Sequence, residues 1–157
     1  MNLPCTKGSL LAILEPSLNP SASDPIMKSL TLREVPGHLA VLRLPGGSSL
    51  PDWATRGAFW CAVSTPEELS IVCDPRSIPA LAPGLGIEGP WRALRVEGVL
   101  DFALTGIVSA LSAPLAEAGI SIFAVSTFDT DYLLVKASTW EAAKAVLLQA
   151  GHQVMVN

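Results

Sequence analysis

Charge is scarce in this sequence, and the basic share of it is unclustered. Charged residues make up 15% of the chain, with ten Lys and Arg against fourteen Asp and Glu and a formal net charge of −4. Lys28, Arg33, Arg43, Arg56, Arg76, Arg92 and Arg95 are scattered. A duplex-binding surface needs a basic stripe to neutralise phosphates, so nucleic acid is not expected as a partner. Long hydrophobic runs are missing too, and none reaches the ~20 residues of a membrane helix. The apolar run Ser9–Leu14 is stopped by Glu15 and Pro16 and is too short for a signal-peptide core. The reading is a cytoplasmic chain without a membrane partner. Histidine is almost absent: His38 and His152 each stand without a motif beside them. Cys5, Cys61 and Cys73 are odd in number and widely spaced, which excludes a disulfide framework and a closed zinc site. Ser64-Thr65 and Ser126-Thr127 lack a nucleophile elbow. Gly84-Leu85-Gly86 and Gly89 lie in a Pro- and Gly-rich connector rather than between a strand and a helix, so they are not a dinucleotide fingerprint. No catalytic residue, metal site or cofactor is expected, and the chain is not read as an enzyme.

Aliphatic residues are plentiful. Half of the 157 residues are hydrophobic while aromatics are 6%, so a sizeable core built on Leu, Ile, Val and Ala is expected. Residues 1–27 read as a flexible N-terminal appendage, rich in Pro and Ser/Asn/Asp, and Met27 is an alternative start. Residues 28–90 are strand-rich. Leu30–Val35 alternates, Pro36-Gly37 marks a turn, and His38–Leu44 forms a second run. Leu50–Arg56 has room only for a short helix. Phe59–Ser64 and Leu69–Cys73 flank the hairpin-like turn Thr65-Pro66-Glu67-Glu68.

Residues 91–157 are more legible. Arg92–Glu97 is a strand. A helix follows from Thr105 to Ala118, with Ile107, Val108, Leu111 and Leu115 at helical spacing and Pro114 expected to kink or break it. Gly119 suits its exit. Ile120–Ser126 and Tyr132–Val135 form a strand pair around a polar turn. Ser138 and Glu141 are placed to form a capping box ahead of a helix that aligns Trp140, Ala143, Leu147 and Ala150 and ends at Gly151. Gln153–Val156 closes the unit. The order is βαββαβ, a ferredoxin-like antiparallel sheet with both helices on one face.

The residues Gly106-Ile107-Val108, Pro114-Leu115-Ala116, Gly119-Ile120-Ser121-Ile122-Phe123 and Ser126-Thr127-Phe128-Asp129-Thr130-Asp131-Tyr132 resemble the ACT domain family. They are most similar to its tandem-ACT subgroup, which includes animal arginine sensors and small bacterial proteins. The preceding half, with Glu68–Cys73 as its most familiar stretch, resembles that subgroup's degenerate first unit. The resemblance implies an α+β fold of two ACT-like units, the first degenerate and strand-rich, and a bound amino acid at an interface between units. It implies ligand contacts at Leu104, Thr105, Gly106, Ile107, Thr127, Phe128, Thr130 and Asp131. Two positions depart from the sensors: Leu104 stands where they carry an acidic residue, and Asp101 where they carry a glycine. The implied ligand is therefore an amino acid without further identity.

The chemistry is coherent without the family. A helix start offers free N–H groups and partial positive charge to a carboxylate. Gly106 permits close approach. Asp131 suits an ammonium group, although turn aspartates often bond only their own backbone. Asp129 is read as facing water, and Asp101 or Thr105 as a helix cap. The expected function is an amino-acid-binding sensor module, forming a homodimer and acting on an unidentified protein. The alternative is a dimerisation or protein-interaction module that keeps the fold and binds no ligand.

Overall fold

The computed structural model describes residues 29–80 and 85–156; the expected appendage at 1–27 and Gly84 lie outside them. Seven strands share one sheet: β1 Thr31–Pro45, β2 Cys61–Ser64, β3 Glu68–Cys73, β4 Gly86–Val96, β5 Ile122–Ser126, β6 Asp131–Lys136 and β7 Gln153–Met155. Two helices, α1 Ile107–Glu117 and α2 Trp140–Gln149, follow β4 and β6. Short 3-10 turns at Asp52–Thr55 and Pro75–Ser77 stand where the strand-rich half offers little helical signal.

Pro36-Gly37 does not reverse the chain. Leu30–Val35 and His38–Leu44 were expected as two strands, but both lie in β1 because both pair with β4, from Leu32↔Val96 to Arg43↔Gly86. Five residues of β1, Val35 to Leu39, span three of β4, Ala93 to Trp91, and this bulge accommodates the Pro, which has no N–H for a ladder, and Gly37 at φ 94°. The strand bends there and continues. Its second half pairs with β3, which pairs with β2. The boundary expected between residues 90 and 91 falls inside β4.

The order across the sheet is β2-β3-β1-β4-β6-β5, with β7 parallel to the start of β1. In a self-contained βαββαβ unit the last strand lies beside the first. Here the first half of β1 is interposed, so β7 pairs through Thr31↔Gln153 and Arg33↔Met155. One face of this region carries α1 and α2. Leu32, Leu94, Val96, Leu133 and Val135 point into the core with Leu111, Leu115, Trp140, Ala143 and Leu147. Burying a side chain of this kind contributes about 1.5–3 kcal/mol. Ala150 was expected on the same face but is exposed. A second cluster of Ala40, Leu42, Leu69, Ile71 and Cys73 fills the strand-rich half, and a third, on the sheet's opposite face, contains Leu39, Trp91, Ala93 and Leu134.

Helix ends explain much of the packing. The expected capping box at Ser138 and Glu141 does not form: residues Ala137–Thr139 make a 3-10 turn into α2, and neither it nor α2 has a side-chain cap. Both exits follow the sequence signal. Gly119 (φ 69°) donates to Ala116 and Ile120 donates to Leu115; Gly151 (φ 89°) donates to Leu148 and His152 donates to Leu147. Each is a Schellman turn that satisfies terminal carbonyls and tucks the following side chain, Ile120 or His152, into the interior.

Pro114 does not break α1. It lacks the N–H that would bond the Ala110 carbonyl. His152 fills that role, with Nε2 3.3 Å from the Ala110 oxygen, while the Leu30 N–H donates to Nδ1 at 3.3 Å. An accepting Nδ1 places the neutral ring's proton on Nε2. One buried ring thus joins α1, the entrance to β1 and the approach to β7. His152→Ala is expected to lower stability by about 1–3 kcal/mol, because buried polar partners are left without bonds. In that background Pro114→Ala should recover part of the loss by restoring the helical N–H, and urea unfolding of both variants checks this.

Candidate functional site

The loop between β4 and α1 runs alongside the turn between β5 and β6. Thr127 and Thr130 close that turn on themselves: Thr127 donates to the Thr130 carbonyl from both N and Oγ1 at 2.8 Å, and Thr130 N donates back to Thr127 Oγ1 at 3.2 Å. Two bonds then fasten the turn to the neighbouring chain. Thr130 Oγ1 donates to the Val96 carbonyl at 2.7 Å, and Leu100 N donates to the Asp129 carbonyl at 2.7 Å. Between the two walls lies a cleft of about 400 Å³.

One end of the cleft is the start of α1. Gly106 takes a left-handed conformation (φ 81°) and its carbonyl accepts the first helical bond, from Ala110 N. No side chain caps this end. The N–H groups of Ile107, Val108 and Ser109 have no carbonyl within the helix, as in any first turn. Together with the helix dipole they make this end attractive to an anion. Asp101 does not cap the helix as expected; its Oδ1 accepts from Ala103 N in a local turn at 2.9 Å. Thr105 does not cap it either.

The facing wall is acidic. Asp131 lines the cleft and its Oδ1 accepts the Ser126 hydroxyl at 2.6 Å, a cross-strand bond rather than a bond to its own backbone. Asp129 and Asp101 line the same space, and no Lys, Arg or His is among the lining residues. The cleft therefore pairs a local positive potential at the helix start with carboxylates opposite. That is the polarity complementary to a ligand carrying a carboxylate and an ammonium.

Of the residues expected at a site, Leu104, Gly106, Ile107, Thr127, Phe128, Thr130 and Asp131 line this cleft, and Thr105 does not. Thr130 has a holding role, since its hydroxyl is buried against Val96. Phe102 was not anticipated. It meets Phe128 edge-on with ring centroids 5.1 Å apart, yet the two residues are 74% and 80% exposed. No periodicity marks a lone loop phenylalanine; the only signal was its closeness to the helix-start glycine. His38 and the two described cysteines lie outside the lining. Burial pushes the Cys61 and Cys73 thiols up from their ordinary value, which disfavours the reactive thiolate.

The bond from Thr130 sets the spacing between the walls. Thr130→Val keeps the shape but removes the donor to Val96. Stability should fall by about 1–2 kcal/mol, since a buried carbonyl loses its partner, and denaturant midpoints measure the change. Phe102→Ala should stay within roughly 0.5 kcal/mol of the parent, as expected for a side chain with little burial.

Comparison with known proteins agrees with this fold. Residues 86–149 match the model of the ACT domain, and residues 37–80 match a second model, described as an N-terminal domain. The human cytosolic arginine sensor for mTORC1, subunit 1, is 30% identical over 90 residues, covering 52% of this chain and 27% of the sensor. The match thus spans about a quarter of that relative's length. A crystal structure of a protein from Agrobacterium tumefaciens superposes with a TM-score of 0.76 at 35% identity, covering 83% of this chain and 95% of that one. The regulatory subunit of aspartate kinase from Thermus flavus shares the fold, with a TM-score of 0.55 at 13% identity over 79% of this chain and 97% of that subunit. The α+β architecture and the matched model agree: residues 86–149 of this chain are an ACT domain.

Proposed function

We propose that this chain is an amino-acid-binding regulatory module rather than a catalyst, and that the cleft at the start of α1 is its ligand site. The observation that carries the reading is the meeting of an uncapped helix start at Gly106 with the Asp131 carboxylate in one cleft. The ligand carboxylate would accept from the free N–H groups of the first turn. Its ammonium would face Asp131, with Asp101 and Asp129 nearby. Leu104 and Phe128 would receive its carbon skeleton.

The cleft is open along a rim of exposed apolar side chains. Phe102, Leu104 and Phe128 make up that rim. A second copy closing over it would exclude water and place the ligand between ACT units. The strand-rich half would serve as the degenerate companion unit. Ligand binding then biases one arrangement of the assembly and so its contacts with a regulated protein, for which differential affinity between arrangements is sufficient. The family relative named as a cytosolic sensor supports a place in the cytoplasm. Among the described residues no helix is long and apolar enough to cross a membrane.

The exposed phenylalanine pair also favours a second reading, an assembly module that uses this rim without a ligand. A thermal-shift panel of the standard amino acids separates the two. A ligand at ~100 times its dissociation constant stabilises by about 2.7 kcal/mol, a rise of several degrees in melting temperature. Asp131→Ala should abolish that rise while leaving the unliganded melt close to the parent. A panel in which no amino acid moves the melt rejects ligand binding.

A further inference from the structure

A second cavity lies on the sheet face opposite the helices. Residues alternate between faces along a strand. With Leu32, Leu94 and Val96 facing the helices, Arg33 and Arg95 face away. The register places them directly opposite each other, Arg33↔Arg95, on two adjacent strands of the sheet. Like charges at such positions repel. Their row continues to Tyr132 on one side, through Arg95↔Tyr132, and to Met155 on the other, through Arg33↔Met155.

One carboxylate serves both guanidinium groups. Glu97 Oε1 is 3.0 Å from Arg33 Nε and 3.8 Å from Arg95 Nη1. Arg33 Nη2 lies 3.6 Å from the Met155 sulfur, a weak acceptor. The carboxylate that lines this cavity, Glu34, is paired with Arg92. Two fixed positive charges against one carboxylate leave an excess positive charge. Each guanidinium carries five N–H donors in a rigid fork, so most donors are not taken by Glu97. The space beside them measures about 240 Å³ and has an apolar wall, where the Phe59 and Tyr132 rings meet tilted at 44° with centroids 4.6 Å apart.

We propose that Arg33 and Arg95 form an oxyanion site, taking the carboxylate or phosphate group of a small molecule whose remaining part lies against Phe59 and Tyr132. Glu97 acts as an internal competitor that holds the two guanidinium groups in place when the anion is absent. Charge-assisted bonds from a pair of forks are the geometry that recognises planar carboxylates and phosphates. The site is separate from the cleft at α1: the two share no lining residue.

Titration with inorganic phosphate and with acetate at low ionic strength tests this, read by calorimetry and by the arginine Nε–Hε resonances. Saturable binding of either anion is expected, and which one binds more tightly assigns the source. Arg33→Gln and Arg95→Gln should each weaken it by roughly tenfold, about 1.4 kcal/mol. Arg33→Lys should weaken it as well, because the charge remains but the fork is lost. Glu97→Gln should tighten binding severalfold by removing the competitor. Thermal melts establish that each variant is folded; should one arginine variant fail to fold, the other and Glu97→Gln still decide. Absence of saturable binding by both anions overturns the proposal. So do affinity unaltered by the arginine substitutions or affinity not raised by Glu97→Gln.

Discussion

The antiparallel pairing of β1 with β4 is the constraint on which the other parts depend. These two strands run through both halves of the sheet, and every other strand except β2 and β5 pairs directly with one of them. Leu32 on β1 and Leu94 and Val96 on β4 enter the core under the helices, while Leu42 belongs to the core of the strand-rich half. The same pairing sets the end of β4, and with it the Val96 carbonyl that fastens the Thr127–Thr130 turn. Cleft and core therefore share a frame. A change in the register of β1 on β4 would move both.

The two halves use that frame differently. Around α1 and α2, aliphatic layers and a pair of Schellman turns define the packing. Charged groups are placed at its margins: Arg92 pairs with Glu34 and lies over the Trp140 ring at 4.0 Å, and Lys136 pairs with Glu88 and lies 4.2 Å over Trp91. Such contacts let long cationic side chains cover apolar rings while their heads stay partly hydrated. Among its described residues, the strand-rich half has 3-10 turns as its only helical elements, and its edge strand β2 is four residues long. A short edge limits the length of unpaired backbone available to another chain.

Much of the C-terminal half was legible because its signals are local. The glycines at 106, 119 and 151 stand at helix boundaries and all have positive φ. The buried stripe of α1 followed from the spacing of Leu111 and Leu115. The misses have a common cause in distant partners. Pro36-Gly37 reads as a reversal, but β4 holds both flanking runs and leaves a bulge. The first residues of β4 were hidden in a Pro- and Gly-rich stretch and became strand by pairing with Arg43 and its neighbours. The start of β1 stands between β7 and β4, a placement that sequence order alone does not mark. At the candidate cleft, the family resemblance pointed to Gly106 and Asp131, which both line it, but Phe102 owes its position to how the loop is strapped to the turn.

The hydrogen bond from Leu30 to His152 spans 122 positions of sequence. Contacts of such separation slow folding, because a long loop must close before they contribute. On a ribosome, β1 emerges long before β7. The helical layer can assemble beneath β4, β5 and β6, yet the seam beside β1 is sealed only when the last strand leaves the tunnel. Until then the nascent chain carries an unfilled sheet edge next to apolar surface, which is the kind of surface a holdase recognises.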